Sequence, residues 1–193
     1  MALDDNKLIG NITKPFSLEL KEHESMDDYV DEILPNIKPW SEDLREEEFY
    51  LDTRWLEVRD ADDFLEKVLH IFRPENEYLH SIDGNISKGD WKVLDKSNTL
   101  IIEMEAGGAI IKSELFDLAF LNKDFFILKK HGNQKRKGRQ KYLVLGREAV
   151  VKNLEWRQVM DKLFSNYKNN SQFLVFMAVI ALIIAAVLAF SLF

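Results

Sequence analysis

The chain has 193 residues, with 26 Lys and Arg against 33 Asp and Glu and no cysteine. That length suits one compact domain with an appendage and argues against two full domains. Without cysteine, disulfide scaffolds, thiolate-bound zinc or iron–sulfur clusters and thiol catalysis are excluded. Charge is spread unevenly: residues 1–66 carry 20 acids and 7 bases, a net of −13, whereas the remainder carries 13 acids and 19 bases, a net of +6. Such polarity predicts either separate surfaces with separate partners or an acidic part lying over a basic one.

Residues 1–48 read as an acidic N-terminal arm that packs on the domain or on a protein partner. The opening, MALDDNKLIGNITKPF, lacks a basic segment followed by an apolar run, so no secretory signal is expected. Ser25-Met-Asp-Asp28 has capping-box-like spacing and predicts a short helix through Tyr29, Ile33 and Leu34 that Pro35 ends. Ser41 to Glu48 reads as another solvated turn or two of helix.

From Phe49 to about 152 the texture changes to short apolar or alternating runs separated by turn residues. The runs are Tyr50–Val58, Phe64–Phe72, Tyr78–Ile82, Trp91–Leu94, Thr99–Met104, Ala109–Leu121, Phe125–Lys130 and Lys141–Gly146. Pro74–Glu77, Asp83–Asn85, Lys88–Asp90, Asp95–Asn98 and Gly107-Gly108 supply the turns. Residues 58–70 also suit a helix, because Asp60-Ala-Asp-Asp63 precedes Phe64, Val68 and Leu69. Eight sequential antiparallel strands remove both exposed edges by closing on themselves, so the expected fold is mainly β, an up-and-down antiparallel barrel.

These residues resemble a family. Trp55 on the first strand, Phe72-Arg-Pro-Glu-Asn-Glu-Tyr78, Gly89-Asp-Trp91, Thr99–Glu103 and Phe125–Leu128 look like the short bacterial lipocalin-like domains of the calycin superfamily. The resemblance covers about 49–146 and implies an eight-stranded barrel, whose interior either fills with side chains or holds one small ligand. Secreted lipocalins carry a signal peptide and cysteines, and this chain has neither, so the resemblance does not extend to an extracellular carrier role.

Asn153 is placed to cap an amphipathic connecting helix over 153–171, with Leu154, Trp156, Met160, Leu163, Phe164 and Tyr167 at spacings of three and four. Residues 172–193 then form the expected anchor. Phe173 to Phe193 is 21 residues without charge, Pro or Gly, and as a helix it would reach about 31 Å, the thickness of a bilayer hydrocarbon core. Arg157, Lys162 and Lys168 precede it, which by the positive-inside bias puts the N-terminal part in the cytoplasm. The expected architecture is a single-pass, tail-anchored membrane protein, and its Asn11, Asn85 and Asn169 glycosylation patterns are expected to stay unused. Ala181, Ala185 and Ala189 recur every four residues and make a candidate face for homo-oligomerisation.

Candidate chemistry is sparse. Residues 129–141 hold seven bases, Lys129, Lys130, Lys135, Arg136, Lys137, Arg139 and Lys141. Three readings stand: contact with anionic lipid headgroups, worth about 1 kcal/mol per base near the surface; a nucleic acid or phosphorylated ligand, with nucleic acid disfavoured because no aromatic interrupts the run to stack on a base; or a solvated loop. His70 and His80 are expected to face each other across a hairpin, with Glu66 or Glu77 within reach, but a pair at this spacing does not specify a metal site and no cofactor is expected. Trp55 and Trp91 are candidates for stacking on a ligand in the barrel, and otherwise serve as core. No nucleophile elbow, phosphate-binding glycine loop or His-Glu-x-x-His motif occurs. The expected function is non-enzymatic: a membrane-tethered binding or scaffold module in a membrane-associated complex, or a receptor for a small cytoplasmic ligand such as a nucleotide signal or lipid.

Overall fold

The structure, a computed structural model, describes residues 23–61, 66–94, 97–131 and 140–167. Eight antiparallel strands close into a barrel in chain order. They are β1 (Trp55–Val58), β2 (Val68–Phe72), β3 (Glu77–Ile82), β4 (Asn85–Val93), β5 (Thr99–Ala106), β6 (Ala109–Leu121), β7 (Phe125–Lys130) and β8 (Tyr142–Arg147). The seam pairs β1 with β8, from Trp55 opposite Arg147 to Val58 opposite Val144. The expected mainly-β barrel is therefore observed. Among the described residues no helix is long and apolar enough to cross a membrane. The expected span Phe173–Phe193 and its alanine stripe lie outside the described residues.

Helix α1 (Met26–Ile37) begins where Ser25 accepts a hydrogen bond from the Asp28 amide, the capping geometry its sequence predicts. It does not stop at Pro35. Proline in the last turn removes one helical hydrogen bond, and the Lys38 amide still closes on Leu34. The buried face of Met26, Tyr29, Val30, Ile33 and Ile37 holds the helix down. Its acidic face reaches β8. Asp27 accepts from the Lys141 and Tyr142 amides at 2.7 and 3.2 Å, while Asp31 accepts from the Lys141 ammonium at 2.6 Å and the Tyr142 hydroxyl at 2.7 Å.

The segment 41–52 crosses one end of the barrel as a plug; of the expected solvated turn or two of helix it keeps one 3-10 turn, Glu47–Phe49, with Arg45 to Glu48 exposed. The Ser41 hydroxyl accepts from the Leu121 amide, the Leu121 carbonyl accepts from the Glu42 amide, and the Phe72 carbonyl accepts from the Asp52 amide. Tyr50 is fully buried and donates its hydroxyl to the Leu44 carbonyl. This use of Tyr50–Asp52 shortens β1 to begin at Trp55.

Lys88-Gly-Asp90 was expected as a turn and is instead the middle of β4. A Cβ on Gly89 would stand 1.9 Å from the Glu103 carbonyl oxygen of β5. Glycine here answers a close strand approach, not a reversal of the chain. Past the barrel, α2 (Glu148–Val151) seats Val151 close to Gly146 of β8, and α3 runs over 156–167. Trp156, Val159 and Met160 are its buried residues within the compact unit His23–Asp161. The last described residues, 162–167, belong to a second unit, in which the Ser165 hydroxyl donates to the Lys162 carbonyl.

Candidate functional site

Strand alternation places Phe72, Tyr78, Trp91, Leu100, Phe116, Phe126 and Leu145 in one interior cluster with Tyr50 and Trp55. At the plugged end these rings fill the barrel. Tyr50 stands edge-on to Phe72 and Trp91 with centroids 6.0 and 5.6 Å apart, and Phe126 closes on Trp55 at 5.8 Å. Each such pair adds about 0.5–1.5 kcal/mol beyond the area it buries. Trp55 donates its indole N–H to the Tyr50 carbonyl, and Trp91 donates to the Arg73 carbonyl. Both candidate ligand-stacking tryptophans thus sit in the aromatic packing with their polar edges satisfied.

The other half of the interior is polar. His70 and His80 are register partners on β2 and β3, with ring centroids 5.1 Å apart and planes at 67°, so the pair expected across the hairpin is present, edge to face. Their third neighbour is Glu57 of β1, not Glu66 or Glu77. Glu77 is drawn off to Arg73 and Lys88. The His70 Nε2 lies 3.1 Å from Glu57 Oε2, and Nδ1 lies 2.5 Å from the Tyr78 hydroxyl. Arg59 grips the same carboxylate with two donors at 2.6 and 2.9 Å.

Electrostatics fix the protons along this chain. Burial alone raises the Glu57 carboxyl, but hydrogen bonds from His70 and Arg59 outweigh it and hold the group well below the usual carboxylate range. Burial, reinforced by the charges of Glu57 and Glu114, keeps the Tyr78 phenol protonated. Glu57 therefore accepts from His70 Nε2–H, and in the neutral ring Nδ1 accepts from the Tyr78 hydroxyl. Both nitrogens of His70 are committed. His80 is different: burial, then the neighbouring His70, push its imidazole down to about 4. It is neutral at physiological pH, stacks on Tyr78, and makes no hydrogen bond among the described residues. One donor and one acceptor are thus left open in the barrel.

Among the described residues no three His, Asp or Glu side chains are grouped to hold a metal ion. The arrangement can bind an uncharged or weakly acidic polar group at His80, with Glu57, His70 and Tyr78 as its fixed support.

The end of the barrel opposite the plug carries the β3–β4 and β5–β6 turns and the β7–β8 connection, consecutive around the rim. Two of these hairpins overhang the wall. Pairing of β4 with β5 starts only at Gly89 opposite Met104, and pairing of β6 with β7 only at Phe116 opposite Lys130. Ile82, Ile86, Ile110 and Ile111, near those two tips, are 38, 66, 57 and 65% exposed. Of the seven candidate headgroup-binding bases, Lys129 and Lys130 end β7, and Lys141 just before β8 is held by Asp31. Lys135, Arg136, Lys137 and Arg139 lie outside the described residues. The sequence reading missed the isoleucine tips, although apolar residues beside Asp83-Gly84 and Gly107-Gly108 turns were their visible sign.

Comparison with protein-family models, with curated proteins and with solved structures gives no match.

Proposed function

We propose that the protein is a non-enzymatic binding module, tethered to the cytoplasmic face of a membrane through Phe173–Phe193, that serves as a subunit of a membrane-associated complex. The observation that carries this reading is the inequality of the barrel ends. One end is covered by 41–52 over a cluster of aromatic rings, whereas the other holds the exposed isoleucines and the strand-end bases Lys129 and Lys130. The 21 uncharged residues 173–193 supply the tether, and the bases of 129–141 meet anionic headgroups. The eight-strand closure, the plug packed on Trp55 and the Gly89-Asp-Trp91 strand support a lipocalin-like, calycin-type barrel.

The test is membrane fractionation of the full chain and of a variant lacking 173–193. The full chain should resist alkaline carbonate extraction, and the shortened chain should be soluble with an unchanged β circular-dichroism spectrum. A full chain that washes off the membrane overturns the reading.

The open valences of His80 favour a second reading, a receptor that takes a small cytoplasmic ligand into the polar half of the barrel. Thermal shifts against nucleotides and lipids separate the two. A receptor gains stability as the ligand exceeds its Kd, and a scaffold gains none.

A further inference from the structure

The two overhanging hairpins present four isoleucines that stay 38–66% exposed. We propose that these tips, Ile82 and Ile86 on β3–β4 and Ile110 and Ile111 on β5–β6, insert into the headgroup and upper acyl layer of an anionic bilayer, giving the module a second membrane attachment besides its tether. The proposal deepens the membrane-tethered reading and rests on it.

Shape argues for a bilayer. Residues 105–113 are exposed throughout, because the β5–β6 ribbon parts from β4 above Gly89 and runs past the end of β7. At its tip Gly107 and Gly108 both take positive φ, 61 and 79°, which lets the ribbon reverse within two residues. Such a narrow projection cannot bury its apolar atoms against a flat protein face, but a fluid acyl layer closes around it. Isolated exposed isoleucines need no explanation; four of them, gathered at two tips of one barrel end, do.

Charge argues the same way. Lys129 and Lys130 end β7 at this end of the barrel, and the sequence from 129 to 141 holds seven bases. The tips themselves hold the carboxylates Asp83 and Glu105, and Asp83 accepts from the Lys67 amide. Lys112 is paired with Glu114. A second copy docked on this end would set Lys129 and Lys130 against like charges, since a two-fold contact presents the same patch from both sides. Anionic lipid offers the opposite sign.

The absence of cysteine makes an introduced thiol unique. Ile86→Cys and Ile111→Cys in the full chain, each labelled with a polarity-sensitive fluorophore, are reconstituted into vesicles of phosphatidylcholine with or without phosphatidylglycerol. Lys123→Cys, on the β6–β7 turn at the plugged end, is the control. Both tip labels should shift to the blue, brighten several-fold and be quenched by lipid-borne nitroxides, more so with phosphatidylglycerol, while the control label stays in water. Vesicle-bound protein whose tip labels match the control overturns the inference and leaves the tether standing. Protein that fails to float with the vesicles overturns both. Thiols that cross-link tip to tip, with labels that stay in water on vesicles, assign the tips to a second copy and also overturn it.

Discussion

Glu57 and His70, thirteen residues apart on neighbouring strands, meet at 3.1 Å inside the barrel, and the histidine passes the contact on to Tyr78. Three strands are tied together by side chains at the height where the aromatic packing ends. Glu57→Gln removes the charge from this junction and leaves a poorer partner for Arg59. A loss of about 1.5–3 kcal/mol is expected, the scale of a hydrogen bond to a charged group, measured by urea denaturation at neutral pH.

The same carboxylate sets the acid limb of stability. Its value falls from 4.5 to about 2 on folding. A depressed carboxylate contributes fully above its unfolded value and loses that contribution as pH falls through the folded one. Stability attributable to Glu57 is therefore lost between about 4.5 and about 2, and Glu57→Gln should flatten that part of the profile.

His80 acts in a different window. Its value drops from 6.5 to about 4 on folding, so the unfolded chain binds the extra proton first. Stability attributable to His80 is present above 6.5 and declines as pH falls toward 4. The groups around it, His70, Glu57, Lys112 and Arg59, carry the remaining charge effects. His80→Gln should reduce the slope of stability between these two values, and NMR titration of the imidazole should show it neutral at pH 6.

Two aspartates of α1 make unequal contributions. Asp27 caps two backbone amides at the start of β8, and Asp27→Ala leaves both without that partner, an expected cost of about 1–3 kcal/mol. Asp31→Ala removes an ion pair with Lys141 between partly exposed side chains, worth about 1 kcal/mol or less, and leaves one hydroxyl, that of Tyr142, without this acceptor, so it should cost less than Asp27→Ala, which strips two amides. Paired thermal melts at equal protein concentration check the order.

Two glycines should separate just as sharply. Gly89→Ala sets a methyl against the Glu103 carbonyl and should cost about 3 kcal/mol or more through forced strand separation. Gly107→Ala meets nothing within 4 Å, and its cost is the positive φ alone, about 1–2 kcal/mol.

Much of the barrel was legible because alternation and turn chemistry are local. Strands β6 and β7 begin and end where their apolar runs do, and Asp83-Gly84 and Gly107-Gly108 are turns as their composition requires. What was not legible depends on distant residues. Tyr50–Asp52 reads as strand, yet it belongs to the plug because Phe72 and Leu44 receive its hydrogen bonds. Lys88-Gly-Asp90 reads as a turn because its requirement for glycine comes from Glu103, on another strand. The His70–His80 pair follows from hairpin counting alone, but Glu57 reaches it only through the tilt and closure of the barrel. Trp55 and Trp91 read equally well as ligand platforms or core, and only their neighbours separate the two uses.

The seam has a consequence for the order in which the protein can be made. Strand β1 finds one of its two partners only in β8, and Asp27 of α1 finds the Lys141 and Tyr142 amides there as well. The earliest helix and the earliest strand among the described residues thus both wait on the last described strand. During translation the growing sheet cannot close, however well its hairpins have formed, until residue 147 has left the ribosome. Contacts of such long sequence separation are slow to form, and the incomplete sheet exposes unpaired strand margins while it waits. Chaperone capture of nascent chains should therefore end abruptly when β8 emerges, not fade hairpin by hairpin.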